Sequence, residues 1–134
     1  MLKQLSIYAE NKKGALQTMT NALYEAGINI WGSVTNDGAE YGINRMVVSD
    51  PDKAKEVLTE RGYLCRFVDV LAVEIEDKPG ALNTLLTALL DSNVNVDYTY
   101  LSFNRDSSTP VMILHTADPE EVEICLEAKG FKMV

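Results

Sequence analysis

Residues 10–30 read ENKKGALQTMTNALYEAGINI, and residues 76–96 read EDKPGALNTLLTALLDSNVNV. Laid over one another at an offset of 66, the two stretches share nine identities in 21 positions, and most differences are conservative. Self-similarity of that length marks a duplicated structural unit and constrains the fold before any single residue is interpreted. Further along, the match resumes at an offset of 68, pairing Asp50-Pro51 with Asp118-Pro119, Leu58 with Leu126, Gly62 with Gly130 and Tyr63 with Phe131. The two extra residues of the second copy fall within residues 104–109, against 36–40 of the first, and both stretches are rich in turn-forming residues.

Each copy parses by hydrophobic period. Leu5, Ile7 and Ala9 alternate with Gln4, Ser6 and Tyr8, as Leu71, Val73 and Ile75 alternate with Ala72 and Glu74, so each copy opens on a strand. The spacing of Leu16, Met19, Leu23 and Ala26, and of Leu82, Leu85, Leu86 and Leu89, predicts a helix with one apolar face in each copy. Gly27 and Asn93 stand where a left-handed residue closes such a helix. Second strands are expected from Ile28 and Val94, with Asp37-Gly38 as a hairpin turn in the first copy, and third strands over residues 43–48 and 110–116. Asp50 and Asp118, each followed by proline, are expected to cap the second helices, and Gly62 and Gly130 to end them. Short last strands then start at Tyr63 and Phe131.

Strand, helix, strand, strand, helix, strand, twice over, predicts an α+β protein of two ferredoxin-like βαββαβ units, residues 1–67 and 68–134, each an antiparallel sheet with its helices on one face. No flexible linker separates them. Units this small bury proportionately little surface and lean on neighbours. Alternation places Trp31, Val47, Val70, Ala72, Met112 and Leu114 on the sheet face away from the helices. A face so apolar calls for cover by another domain or subunit, which points to a homodimer or higher homo-oligomer.

With 46% hydrophobic and 24% charged residues the chain has the composition of an ordinary globular protein. Its formal charge of −8 opposes nucleic acid and anionic membranes. The first thirteen residues hold no continuous apolar segment, and no stretch approaches the ~20 apolar residues that span a bilayer. A cytoplasmic protein is expected. Cys65 and Cys125 occupy non-equivalent positions of the two copies and predict no disulfide framework.

The segment carrying most information is the first loop with the helix it starts. Asp77-Lys78-Pro79-Gly80-Ala81-Leu82, followed by Asn95, resembles the D-x-P-G-x-L … N-I pattern of ACT domains, the small-molecule-sensing modules of amino-acid metabolism. The first copy repeats it as Asn11-Lys12-Lys13-Gly14-Ala15-Leu16 with Asn29-Ile30, departing at Asn11 and Lys13. The resemblance covers nearly the whole chain and is closest to stand-alone tandem ACT proteins. It implies a regulatory protein that binds a free amino acid at an ACT–ACT interface and signals to a regulated enzyme, with no cofactor. It also implies the site residues: Asn11, Lys13, Gly14, Ala15, Leu16, Asp77, Pro79, Gly80, Ala81 and Leu82 form the loop wall, and Asn29, Ile30, Asn95 and Val96 the other.

The chemistry of that loop suits the ligand. A helix N-terminus presents unpaired N–H groups and a positive dipole end to a carboxylate. Glycine permits close approach and Ala15 and Ala81 keep the entrance small, while Asn11, Asp77 and backbone carbonyls offer acceptors to an ammonium. The small apolar loop residues and Trp31 favour an uncharged ligand side chain, aliphatic or aromatic. The same proline and glycine also serve a plain strand-to-helix junction. A structural interaction module without a ligand is therefore the alternative. The copies differ at Lys13 against Pro79 and at Trp31 against Asp97, which makes two chemically different pockets.

Catalysis finds no comparable pattern. GxSxG, P-loop, GxGxxG and HExxH motifs do not occur, and the cysteines lack the spacing of a metal or redox pair. The single histidine, His115, lies in an apolar third strand, where a packed or edge role is expected over that of a general base. The acidic residues Asp50, Asp52, Glu120, Glu121 and Glu123 fall in first turns of helices, where they complement the dipole. The third strand, INRMVVS, has no aromatic residue for RNA stacking and a single arginine in a chain of net charge −8, and the first loop has no cysteine pair for a metal.

Overall fold

Alternation of period two produces β1 (Leu2–Glu10), and the first amphipathic run produces α1 (Ala15–Glu25). They are followed by β2 (Ile30–Asn36), β3 (Tyr41–Val48), α2 (Pro51–Glu60) and β4 (Leu64–Glu74). The second copy supplies α3 (Ala81–Asp91), β5 (Tyr98–Phe103), β6 (Pro110–His115), α4 (Pro119–Ala128) and β7 (Lys132–Met133). The structure is a computed structural model that describes residues 1–36 and 41–134. The expected Asp37-Gly38 turn lies outside the described residues.

Two compact units result, one of Lys3–Val68 and one of Asp69–Val134 with Met1–Leu2. In the first, antiparallel strands stand in the order β2-β3-β1-β4, and in the second in the order β5-β6-β4, with β7 beside β4. β4 therefore ends one unit and opens the next, which is why no linker is visible in the sequence. The two orders are one topology repeated, the ferredoxin-like plan.

Register decides which side chains meet the helices. Leu5 faces Met46, Ile7 faces Asn44 and Ala9 faces Gly42, while Ser33 and Thr35 of β2 face Met46 and Asn44. Leu5, Ile7, Met46 and Val48 join Met19, Leu23, Ala54 and Leu58 in the first core. In the second, Leu71, Val73, Met112 and Leu114 join Leu85, Leu89, Val122 and Leu126.

That second cluster corrects the face assigned to β6. Met112 and Leu114 point toward the helices, and Val111 and Ile113, both buried, share the opposite face with Val70 and Ala72. Four consecutive apolar residues carry no period-two contrast, so only pairing with β4 fixes their parity. On β2, Trp31 falls in a bulge between Ile30 and Gly32 rather than in regular alternation.

The helix faces are narrower than expected. Met19, Ala22 and Leu23 are buried on α1 and Leu85 and Leu89 on α3, whereas Leu16, Leu82 and Leu86 are exposed. The second strands also start later than Ile28 and Val94. The N–H of Ile28 donates to the Leu23 carbonyl (3.0 Å) and that of Val94 to Leu89 (2.9 Å), closing α1 and α3. Groups spent on closing a helix cannot enter a ladder. Gly27 and Asn93 adopt the expected left-handed backbone, φ +72° and +57°.

At α2 the Asp50 carboxylate accepts from the Lys53 N–H (3.2 Å), as expected of a cap. Asp118 makes no such bond at α4. The first turn of α4 already holds Glu120 and Glu121, against Asp52 alone in α2, and a third carboxylate folded over the same N–H groups is repelled.

Candidate functional site

Behind β1 the chain turns tightly. Lys12 N donates to the Glu10 carbonyl and Ala15 N to the Lys12 carbonyl, both at 3.1 Å, and α1 begins behind Gly14. The second copy repeats the turn, with Ala81 N donating to Lys78 O at 3.2 Å and α3 beginning behind Gly80. Gly14 and Gly80 have φ of +84° and +87°. A Cβ added at either would meet nothing within 4 Å. The glycines are thus required by the sign of φ, which side chains disfavour, and not by crowding.

Because the N-cap is glycine, no side chain caps α1 or α3. With the Ala15 and Ala81 N–H groups spent on the turn, those of Leu16 and Gln17, and of Leu82 and Asn83, retain donor capacity at the positive dipole end. Beside each lies a local ion pair, Lys12 Nζ to Glu10 Oε2 at 3.1 Å and Lys78 Nζ to Glu76 Oε2 at 2.6 Å. Both pairs are exposed and add little stability. What they do is hold one positive and one negative charge side by side at each loop, the complement of a zwitterion.

In the first unit this loop walls a cleft of about 350 Å³. Asn11, Gly14, Ala15 and Leu16 of the expected residues line it, with Glu10 and Lys12; Lys13 is exposed beside it and is not part of the lining. Its floor is Ala9, Thr35, Gly42 and Asn44. Asn44 is only 4% exposed. Its amide donates to Thr35 Oγ1 (2.8 Å) and Ser33 Oγ (3.1 Å), and its Oδ1 accepts from Ser33 Oγ (3.3 Å). Sequence reading missed this floor. The available signal was Asn44 at the same strand parity as Met46 and Val48, a polar residue in a core position.

In the second unit a cleft of about 360 Å³ lies beside the equivalent loop, lined by Ala81, Glu76, Lys78 and Thr84 together with Glu74, Thr109, Phe131 and Lys132. Asp77, Pro79, Gly80 and Leu82 do not line it. Glu74 accepts from Thr109 Oγ1 (2.7 Å) and Asn104 Nδ2 (3.1 Å), with Lys132 Nζ at 3.4 Å. The Thr109 hydroxyl, against some desolvation and with help from Asn104 and Lys132, holds the Glu74 carboxyl below the usual carboxylate range.

Neither loop meets the other expected wall within its own unit. Asn29 and Ile30 follow the far end of α1, and Asn95 and Val96 the far end of α3; each helix has 11 residues, about 16 Å of rise. Asn29 is bonded through its backbone to Ser49, its N–H to Oγ and its carbonyl to the N–H, both at 2.9 Å. Val96 is partly buried against the second core. Asn95 lines a separate cleft with Thr116, Asp118 and Glu121, and its Nδ2 donates to Asp97 Oδ1 (3.2 Å). The other Asp97 oxygen lies 2.8 Å from His115 Nδ1, and the His115 ring stacks on Tyr98 with centroids 4.9 Å apart. His115, the last residue of the interior strand β6, is accordingly a half-buried residue with a carboxylate partner.

No group of three or more histidine, cysteine and acidic residues that could hold a metal occurs among the described residues, and no helix there is long and apolar enough to cross a membrane.

Fold and loops together define a tandem pair of ferredoxin-like modules, each with a glycine-started helix behind its first strand. The chain belongs to the ACT domain pair family, whose model matches residues 1–132. It is similar to the crystal structure of protein BT0572 from Bacteroides thetaiotaomicron, with a TM-score of 0.90 and 30% identity over 99% of this chain and 91% of that one. It also resembles the ligand-free regulatory subunit of aspartate kinase from Thermus thermophilus (TM-score 0.67, 14% identity, 94% of this chain and 90% of that one). The corresponding subunit from Thermus flavus gives a TM-score of 0.60 at 17% identity, covering 96% and 93%. At such identities these two show the shared fold alone. No curated protein matches the sequence.

Proposed function

We propose that this ACT domain pair is a non-catalytic sensor of a free amino acid, acting on a regulated enzyme. The observation that carries the reading is the uncapped start of α1 behind left-handed Gly14, opening on a cleft with a Lys12–Glu10 pair at its rim. The ligand carboxylate takes the N–H groups of Leu16 and Gln17 and its ammonium takes Glu10 and the side-chain oxygen of Asn11. A volume near 350 Å³ is at the small end of the ~300–1,000 Å³ range of ligand pockets, as befits one amino acid. Asn29, Ile30, Asn95 and Val96 enter only from another ACT unit; in this reading a second copy of the chain supplies them, so ligand and self-association are linked. Differential affinity for the two association states then gives the regulated enzyme something to read.

The competing reading, an interaction module without a ligand, draws on α3, where Leu82, Leu86 and Leu90 form an exposed apolar row at a spacing of four. A thermal-shift and calorimetric screen of the twenty amino acids separates the two. A saturable response from at least one, with sedimentation shifted toward a dimer, is the expected result. Silence from all twenty with folded protein overturns the sensor.

A further inference from the structure

The floor of the first cleft has a chemically opposite counterpart in the second unit, whose own cleft is lined instead by Glu74, Thr109, Phe131 and Lys132. In the first unit Ala9 and Gly42 face each other, followed by Asn44 against Thr35. At the equivalent positions the second unit has Ile75 and Pro110, then Met112 against Leu101. Met112 is part of the apolar core, with Ile75 packed against it. The fold therefore does not require a polar group there, since the sister unit fills the same place with hydrocarbon. Burying an amide is unfavourable unless every bond is made, so an Asn44 network that the fold could dispense with points to recognition.

The spare bonding capacity of that floor identifies what it recognises. Both Asn44 amide hydrogens are committed, to Ser33 and Thr35, and one lone pair of its Oδ1 accepts from Ser33. A second Oδ1 lone pair is left to accept, and the Thr35 hydroxyl, which accepts from Asn44, has its own proton to donate. One acceptor and one donor, side by side, suit a group that both donates and accepts. A carboxylate only accepts, an ammonium or guanidinium only donates, and an aliphatic side chain would leave both floor groups unpaired. The small Ala9 and Gly42 leave room for the side chain above them.

Resting on the sensor reading, we infer that the first unit's cleft selects an amino acid with an uncharged aliphatic hydroxyl or carboxamide side chain, namely serine, threonine, asparagine or glutamine, and that the apolar counterpart of this floor in the second unit does not. This replaces the aliphatic or aromatic preference suggested by the loop residues alone.

The test is isothermal titration of the full chain with serine, threonine, asparagine, glutamine, leucine, phenylalanine, aspartate and lysine. One of the first four is expected to bind most tightly. Carrying the second unit's residues into the first (Thr35→Leu with Asn44→Met) should weaken that ligand by about tenfold or more, with the protein still folded. Thr35→Val, a near-isosteric change on an exposed strand position, should give a smaller loss in the same direction and guards against misfolding of the double variant. Tightest binding by leucine, phenylalanine, aspartate or lysine overturns the selectivity while leaving the sensor intact. Undiminished affinity of the polar ligand in both variants likewise overturns it. No binding by any of the eight overturns the selectivity; extending the titration to the remaining amino acids decides whether the sensor reading falls with it.

Discussion

Gly14 and Gly80 owe their place to a dihedral angle. At φ near +85° an L side chain costs about 1–2 kcal/mol, with no clash to add, because the space around each is open. Gly14→Ala and Gly80→Ala should each destabilise by about that amount in urea unfolding, and asparagine, which tolerates the left-handed region, should cost less than alanine at both. Glu74 is the other residue whose surroundings set its behaviour. Its folded pKa is depressed, chiefly by the Thr109 hydroxyl, so its contribution is present above the unfolded value of about 4.3 and is lost as pH falls through the folded value. Acid titration followed by NMR should show Thr109 and Asn104 shifting together below the ordinary carboxylate range. Glu74→Gln should abolish that step; its persistence would show that another acid governs the cleft.

Among the elements, α2 and α4 look alike in sequence and differ in how they start. Asp50→Ala removes a real capping bond and should cost about 1 kcal/mol, whereas Asp118→Ala removes none and should change stability by less than about 0.5 kcal/mol. Paired thermal melts check this directly, and equal losses would show that Asp118 caps in solution. The helices α1 and α3 were legible from period and from the residues that close them, because Gly27 and Asn93 announce a left-handed turn. The parity of β6 was not legible. In the run Val111-Met112-Ile113-Leu114 every residue is apolar, and burial of both faces erased the contrast that alternation reading needs. Leu114→Ala, in the core between helices and sheet, should cost about 2–5 kcal/mol by calorimetry, against under about 0.5 for Leu90→Ala on an exposed helix position that is 74% accessible.

At the scale of the molecule, duplication gave two loops with the same left-handed glycine and ion pair but only one floor of the Asn44–Thr35 kind. If binding follows the floor, calorimetry of the intact chain should give one amino acid per chain. Saturation at one hundred times the dissociation constant should then raise stability by about 2.7 kcal/mol. Two equivalents of equal affinity would show that the loops alone suffice. The formal charge of −8 opposes self-association, so any ligand-linked dimer should strengthen as salt is raised.

By itself the sequence determined the repeat, the βαββαβ order, the family and the loops behind each first strand, because these are written in local periodicity and in residues with special backbone demands. Tertiary structure alone decided which residues share a cleft. Asn44 and Thr35 are nine positions apart in the chain and meet only through strand register, and Asn11 and Asn29 are separated by the length of a helix that the loop motif does not reveal. Pattern fixes what each segment becomes, whereas a site depends on which strands pair and in which register, and that is set by long-range packing.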